Sequence, residues 1–392
     1  MKAFARRGTF LLLPIVLAFC LPPAALCETP EKLTPSGAPP NESFGYSVAV
    51  SGETLVVGAP AISGGVGNAA YVFTRRQGGW VQVAELTQSD AETSDLFGLS
   101  VAIDGEAIVV GAREHTGEVY QQGAAYVFVK PATGWTNMTE TAELTASDAQ
   151  PIAYLGNSVA ISGRTIVAGA PLATGASEGA AYIFVEPATG WATTSQFTAK
   201  LVSLDGGEFG WSVALEDDTL AIGAQQGNSA YVFVKPPSGW SHSTQTAQLT
   251  STSSSLLGSS IAISGNTICV GAIGSNSDFG AAYVYVEPQQ GWMNMTQTAE
   301  LTPSDGVLLE WFGISVSAFD SKIAVGATYA GGAPGAAYVF VQPENGWQNA
   351  TQNAKLTEAG AAQADGFGQS VFWGSQGLFV GAPSDDVAVY VY

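Results

Sequence analysis

Histidine, cysteine and basic residues are all scarce in this 392-residue chain, and each scarcity narrows what it can be. Three cysteines occur, and two of them, Cys20 and Cys27, lie in the first 27 residues, which also hold the only long apolar stretch. Lys2, Arg6 and Arg7 precede that stretch, which runs from Phe10 to Leu21 and is followed by Ala24 and Ala25. The order reads as a secretory signal peptide over residues 1–27, and the run is too short for a membrane span. A lipoprotein reading fares worse, because bulky Leu26 and Phe19 stand where a small residue would precede the lipidated cysteine. Cleavage after Cys27 leaves one cysteine, Cys269 in "TICVGA", which excludes an internal disulfide framework and reads as a buried core thiol.

The first 27 residues hold three of the 13 Lys and Arg and no Asp or Glu. The remainder therefore carries 10 basic against 33 acidic groups, a formal charge of −23. Phosphate recognition needs basic clusters, and none occur, so nucleic acid is excluded as a partner. Two histidines, His115 and His242, fall far apart in the chain and do not suggest a shared catalytic centre. No Gly-x-Ser-x-Gly elbow, zinc motif, phosphate loop or dinucleotide fingerprint is present. The reading expects no enzyme, no cofactor and no metal, although paired carboxylates for glycoside hydrolysis leave no visible mark in a single sequence.

What is abundant is repetition. The phrase "GAAYVFVKPATGW" at Gly123 returns as "GAAYIFVEPATGW" at Gly179 and "GAAYVYVEPQQGW" at Gly280. Phe44-Gly45, Phe97-Gly98, Leu155-Gly156, Phe209-Gly210, Leu257-Gly258, Phe312-Gly313 and Phe367-Gly368 open seven units that fill the chain after residue 27. Each unit holds four strand-like runs. The first and second are joined by tight-turn residues such as Ser51-Gly52 or Asp104-Gly105. The second run is almost wholly apolar and closes in Gly-Ala, and the third is "AAYVFV". The fourth follows a Gly-Trp pair, whose indole is placed to pack between blades. No helical periodicity is visible, so the class is all-β.

Seven four-stranded antiparallel units describe a seven-bladed β-propeller. An open solenoid is the alternative, and the chain ends separate the two. Gly-Trp leads into a fourth run six times, and the seventh unit stops at Tyr392 after its third run, while an orphan "KLT" at Lys32–Thr34 precedes the first unit. A fourth strand supplied from the N-terminus closes a ring, whereas a stack needs caps instead.

Phe-Gly followed about thirteen residues later by Gly-Ala-Pro, as at Phe44-Gly45 and Gly58-Ala59-Pro60, resembles the FG-GAP repeat. That repeat builds the propeller of integrin α-subunits and of many bacterial secreted proteins, and the wording "SVAISG", "GAAYVFV" and "GW" is more similar to the bacterial branch. The resemblance implies adhesion or ligand binding. It also brings calcium sites between first and second strands, but none of "SGET", "DGEA", "SGRT", "EDDT", "SGNT", "DSKI" and "GSQG" offers the run of spaced carboxylates they need. Asp90, Asp95, Asp148, Asp205 and Asp305 precede first strands; weak cation binding is one reading of them, but one or two carboxylates per loop read more simply as turn residues.

Asn137, Asn294 and Asn349 in Asn-x-Thr recur two residues after Trp, and Asn41 stands in Asn-x-Ser. These are glycosylation acceptors in a eukaryotic source, but the recurrence reads more simply as a repeated solvent-facing strand position. The expected function is a secreted monomer, without a membrane span, that binds protein or glycan on one face. A scaffold without a ligand site and a propeller hydrolase are the alternatives. Blade two carries the departing loop "REHTGEVYQQG", so the expected contact residues are Arg113, His115, Tyr120, Tyr154, Phe279, Trp311, Tyr329 and Asp385 on one rim.

Overall fold

The structure is a computed structural model that describes residues 29–37, 43–62, 68–92, 94–173, 178–203, 205–306, 310–328, 335–358, 366–384 and 387–392. The expected signal peptide, Asn41, Tyr329 and Asp385 lie outside the described residues. Seven sheets form seven blades, and in the first six the four antiparallel strands follow chain order from the axis outward. Blade two shows the pattern: Phe97–Asp104, Ala107–Ala112, Ala124–Val129 and Ala142–Leu144 pair in sequence. Blade seven takes Ser370–Gly374, Gly377–Ala382 and Ala388–Val391 from the C-terminus and Glu31–Leu33 from the N-terminus. Glu31 faces Val391 and Leu33 faces Val389, so the orphan "KLT" supplies the missing fourth strand.

The first and second strands are joined by two residues in every blade. Ser51 pairs with Thr54 across Gly52 and Glu53, and Gly374 pairs with Gly377 in the same way. Such a hairpin cannot wrap an ion that needs six to eight oxygen ligands, so the calcium sites implied by the resemblance do not fit these turns. Among the described residues one short helix, Ser275–Asp278, lies in the loop between second and third strands of blade five.

The core is seven inter-blade layers, not one central mass. Second and third strands are buried on both faces, and each face meets a different neighbour. From blade two, Ile108, Val110, Tyr126 and Phe128 pack on Val56, Ala70, Val72 and Leu86 of blade one. Its opposite face, Val109, Ala125, Val127 and Leu144, receives Tyr182 and Phe184 of blade three. Bulky aromatics of one blade thus meet small aliphatics of the next at these two layers, which lets neighbouring sheets interdigitate. The Gly-Trp tryptophans join this contact. Trp80 lies edge-on to Phe379 of blade seven at 5.4 Å between ring centroids. Cys269 is fully buried in the layer between blades five and six, and burial pushes its thiol pKa far up, as expected for an inert core residue.

Nearest the axis the backbones touch. The glycine of each Gly-Ala pair faces the carbonyl oxygen of the next blade's Phe/Leu-Gly glycine: a methyl at Gly111 would run into Gly156, and one at Gly381 into Gly45. The serine two residues beyond the Phe-Gly pair reinforces the junction. Ser47 Oγ donates to Gly98 O at 2.9 Å, Ser100 Oγ to Gly156 O at 2.8 Å, and Ser370 Oγ to Gly45 O at 2.7 Å. The last bond joins blade seven to blade one and closes the ring. The first strands line a central channel of about 710 Å³.

The outer edges are also stitched. Residues after each Trp cross to the preceding blade, where Met138–Thr139 pairs in parallel with Leu86 and Thr87. The asparagines of the Asn-x-Thr sequences make this crossing. Asn137 Oδ1 accepts from Glu85 N at 2.9 Å, Asn294 Oδ1 from Gln248 N at 2.8 Å, and Asn349 Oδ1 from Glu300 N at 2.9 Å. In blades three and four the same position holds Thr193, which accepts from Glu143 N at 3.1 Å, and His242, 3.0 Å from Lys200 N. His242 is therefore a strand stitch.

Two outcomes are expected from this geometry. Gly111→Ala should cost about 3 kcal/mol, through overpacking against backbone. Gly105→Ala, at a left-handed hairpin position with open space around it, should cost about 1 kcal/mol. Chemical denaturation checks the order of the two. Removing residues 28–36 should expose the edge of Ala388–Val391, lower the melting temperature and promote self-association in size-exclusion chromatography; an unchanged melt with monomeric elution would contradict N-terminal closure.

Candidate functional site

The loops joining second to third strands and fourth to the next first strand share one rim. A repeated polar unit is built there. The tyrosine of each "AAY" is buried, and its hydroxyl reaches the loop before the first strand. Tyr126 donates to Asp90 at 3.0 Å, Tyr182 to Asp148 at 3.0 Å, Tyr231 to Asp205 at 3.3 Å, and Tyr338 to Asp305 at 3.3 Å. Burial, followed by the facing carboxylate, raises the phenol pKa of Tyr182, which keeps it a donor. A fourth-strand residue directly across from the tyrosine completes the unit. It is Lys200 in blade three, 2.7 Å from Asp148, and Lys355 in blade six, 2.8 Å from Asp305. Lys32 in blade seven lies 4.0 Å from Glu358, and blade four substitutes Gln248, 3.2 Å from Asp205. Asp148, Asp205 and Asp305 are thus anchored turn residues.

Blade two breaks the pattern. Glu143 stands across from Tyr126, where blades three and six have lysine, and it meets Asp90 with no cation between them. Blades one and five also carry glutamate there, Glu85 and Glu300, but their loops present Gly37 and Ser253 in place of aspartate. His115 fills the space in blade two. Its side chain is 5% exposed, with Nε2 3.7 Å from Asp90 Oδ2 and 3.6 Å from Glu143 Oε1. Nδ1 lies 3.3 Å from Asp95 Oδ2 and 3.2 Å from Tyr126 Oη. Asp95 is fully buried and also accepts from Gln88 Nε2 and from Glu92 N. Its other oxygen, Oδ1, has no partner. Burial opposes a charge on the His115 ring, but the Asp95 hydrogen bond and the Asp90, Asp95 and Glu143 charges outweigh it and raise its pKa. Burial and then the Asp90 charge raise the Glu143 carboxyl, with His115 acting against them. The arrangement can hold a proton or a cation among three carboxylates.

The other expected contact residues form two groups. In the first, the Arg113 guanidinium stacks 4.8 Å from the Tyr154 ring and donates to Asn157 Oδ1 at 3.2 Å. Tyr120 is 60% exposed, and its carbonyl accepts from Ile152 N at 2.9 Å, which sets Tyr120 beside the 39% exposed Ile152. In the second, three blades away, Phe312 N donates to Phe279 O at 3.4 Å, so Phe279 and the 40% exposed Trp311 are neighbours. Phe279 also lines a cleft of about 510 Å³ with Pro303 and Asn349. The rim therefore presents two patches, and the His115 side chain is buried beside Asp90, Asp95 and Glu143. Glu143 and Ile152 escaped sequence reasoning. Aligning the fourth strands exposes Glu143, because "TAELT" stands where blade three has "TAKLV".

A ring of seven four-stranded blades with its loops gathered on one rim defines a repeat protein of the β-propeller class. FG-GAP repeat models match residues 29–73, 80–128, 138–184, 195–233, 244–285 and 295–340, and the chain belongs to that family. No curated protein matches it.

Replacing His115 with leucine should leave Asp90, Asp95 and Glu143 uncompensated and cost about 3 kcal/mol, the scale for breaking a buried charge network. Lys200→Leu removes a pair at the solvent edge and should cost under about 1 kcal/mol. Denaturant unfolding in chelator-containing buffer reads both.

Proposed function

We propose that this propeller is a non-enzymatic binding module, exported through the leader at residues 1–27, that takes a protein or glycan ligand on the loop rim of blades two and three. The observation that carries the reading is the solvent-facing pair Tyr120 and Ile152 beside Arg113 and Tyr154. An exposed aromatic with two rotatable bonds gives contact area at low entropic cost, and an arginine held by stacking and by Asn157 is preorganised. FG-GAP membership supports the reading, because the repeat recurs in adhesion propellers. The acidic surface favours solubility and disfavours anionic partners.

The test is binding of the purified protein to a glycan array and to immobilised extracellular matrix proteins. Tyr120→Ala combined with Arg113→Ala should weaken any signal at least tenfold, equivalent to about 1.4 kcal/mol, without moving the melt. Retained binding, or loss caused instead by Lys235→Ala on the opposite rim, would remove this face from consideration.

A further inference from the structure

We propose that Asp90, His115 and Glu143 form a binding site for a divalent transition-metal cation of the zinc class. The three ligand atoms, one per residue, all lie within 4.8 Å of one another. Two of the spacings, 3.7 Å from His115 Nε2 to Asp90 Oδ2 and 3.6 Å to Glu143 Oε1, exceed a hydrogen bond. A tetrahedral ion bound at about 2.1 Å holds its ligands about 3.4 Å apart, so the two histidine distances are close to those between atoms around an ion.

The second observation is how the imidazole is held. His115 is buried, and its Nδ1 is engaged by the fully buried Asp95 and by Tyr126, while Nε2 makes no hydrogen bond and is aimed between the two carboxylates. A buried carboxylate behind Nδ1 fixes ring orientation and raises the basicity of the opposite nitrogen, the arrangement metal-bound histidines use. Asp90 and Glu143 are 43% and 24% exposed on their side chains, so an ion has a route from solvent and keeps open coordination positions. One nitrogen with carboxylate oxygens suits zinc and its neighbours and does not suit calcium, which needs a larger all-oxygen shell.

The comparison across blades strengthens the assignment. Elsewhere the loop acid meets Lys200, Lys355, Lys32 or Gln248. Among the described residues, only blade two sets the loop aspartate against a fourth-strand glutamate. The site stands whether or not the Tyr120 patch binds a partner.

The experiment is isothermal titration of ZnCl₂ into tag-free protein freed of metal by chelator, repeated with CoCl₂ to record the visible absorption of the bound ion. One equivalent of zinc should bind, and millimolar calcium or magnesium should not displace it. His115→Gln should abolish uptake. Asp95→Asn should weaken it about 10- to 100-fold, the range for outer-shell partners. Glu143→Lys is the decisive variant, because Lys200 and Lys355 show that the repeat accommodates lysine there; it should fold, keep its melt and take no zinc. Asp148→Asn, at the matching position of blade three, should bind as the parent does. Absence of a stoichiometric site in the parent, displacement by calcium, or undiminished uptake by Glu143→Lys would overturn the proposal.

Discussion

Adjacent blades of this propeller approach so closely near the axis that the carbonyl oxygen of one occupies the place of the other's side chain. Gly111 against Gly156 and Gly381 against Gly45 are two instances of a junction repeated around the ring. Only glycine permits the contact, and everything outside it depends on the resulting separation. The wedge that opens outward from these glycines is filled by Tyr and Phe from one sheet and by Val, Ala and Leu from the other. The serine bonds to the same carbonyls, as from Ser100 to Gly156, give these acceptors a partner at the junction.

The close approach also shapes the rim. Before Phe97, Leu155, Phe209, Leu257 and Phe312 the preceding residue adopts a left-handed conformation as the pair meets the preceding blade: Leu96, Tyr154, Glu208, Leu256 and Trp311 all have φ between 51° and 62°. Bulky side chains at such angles carry strain of about 1 kcal/mol or more. The strain is a property of the repeat, so it does not by itself mark function. Its effect is positional: it orients Tyr154 for Arg113 and leaves Trp311 at the surface.

Much of this was legible in the residues. The spacing of the Phe/Leu-Gly pairs gave the blade number, the two-residue turns gave the hairpins, and "KLT" gave the closing strand. Cys269 read correctly as core because its neighbours are apolar. Other features were hidden because they depend on contacts between units, which periodicity does not encode. Asn137, Asn294 and Asn349 looked like a solvent-facing column, and they are exposed, yet each also accepts a backbone hydrogen bond from the blade before it. His242 belongs to the same column under a different chemistry. Glu143 was overlooked for the opposite reason: it sits in a common phrase and is unusual only beside Asp90 and His115, which come from other loops.

The pairing of Glu31–Leu33 with Ala388–Val391 sets a timetable as well as a shape. During synthesis the first strand of the chain emerges long before its only sheet partner exists. Blades one to six can form from contiguous sequence, but the seventh waits until the last residues are free. Joining ends separated by more than 350 residues costs about 5 kcal/mol of chain entropy if the intervening chain is loose, and far less once six blades have curved the two ends together. Assembly of the ring is thus ordered by the seam, and until it closes the half-built blade presents a naked strand edge to every other chain nearby.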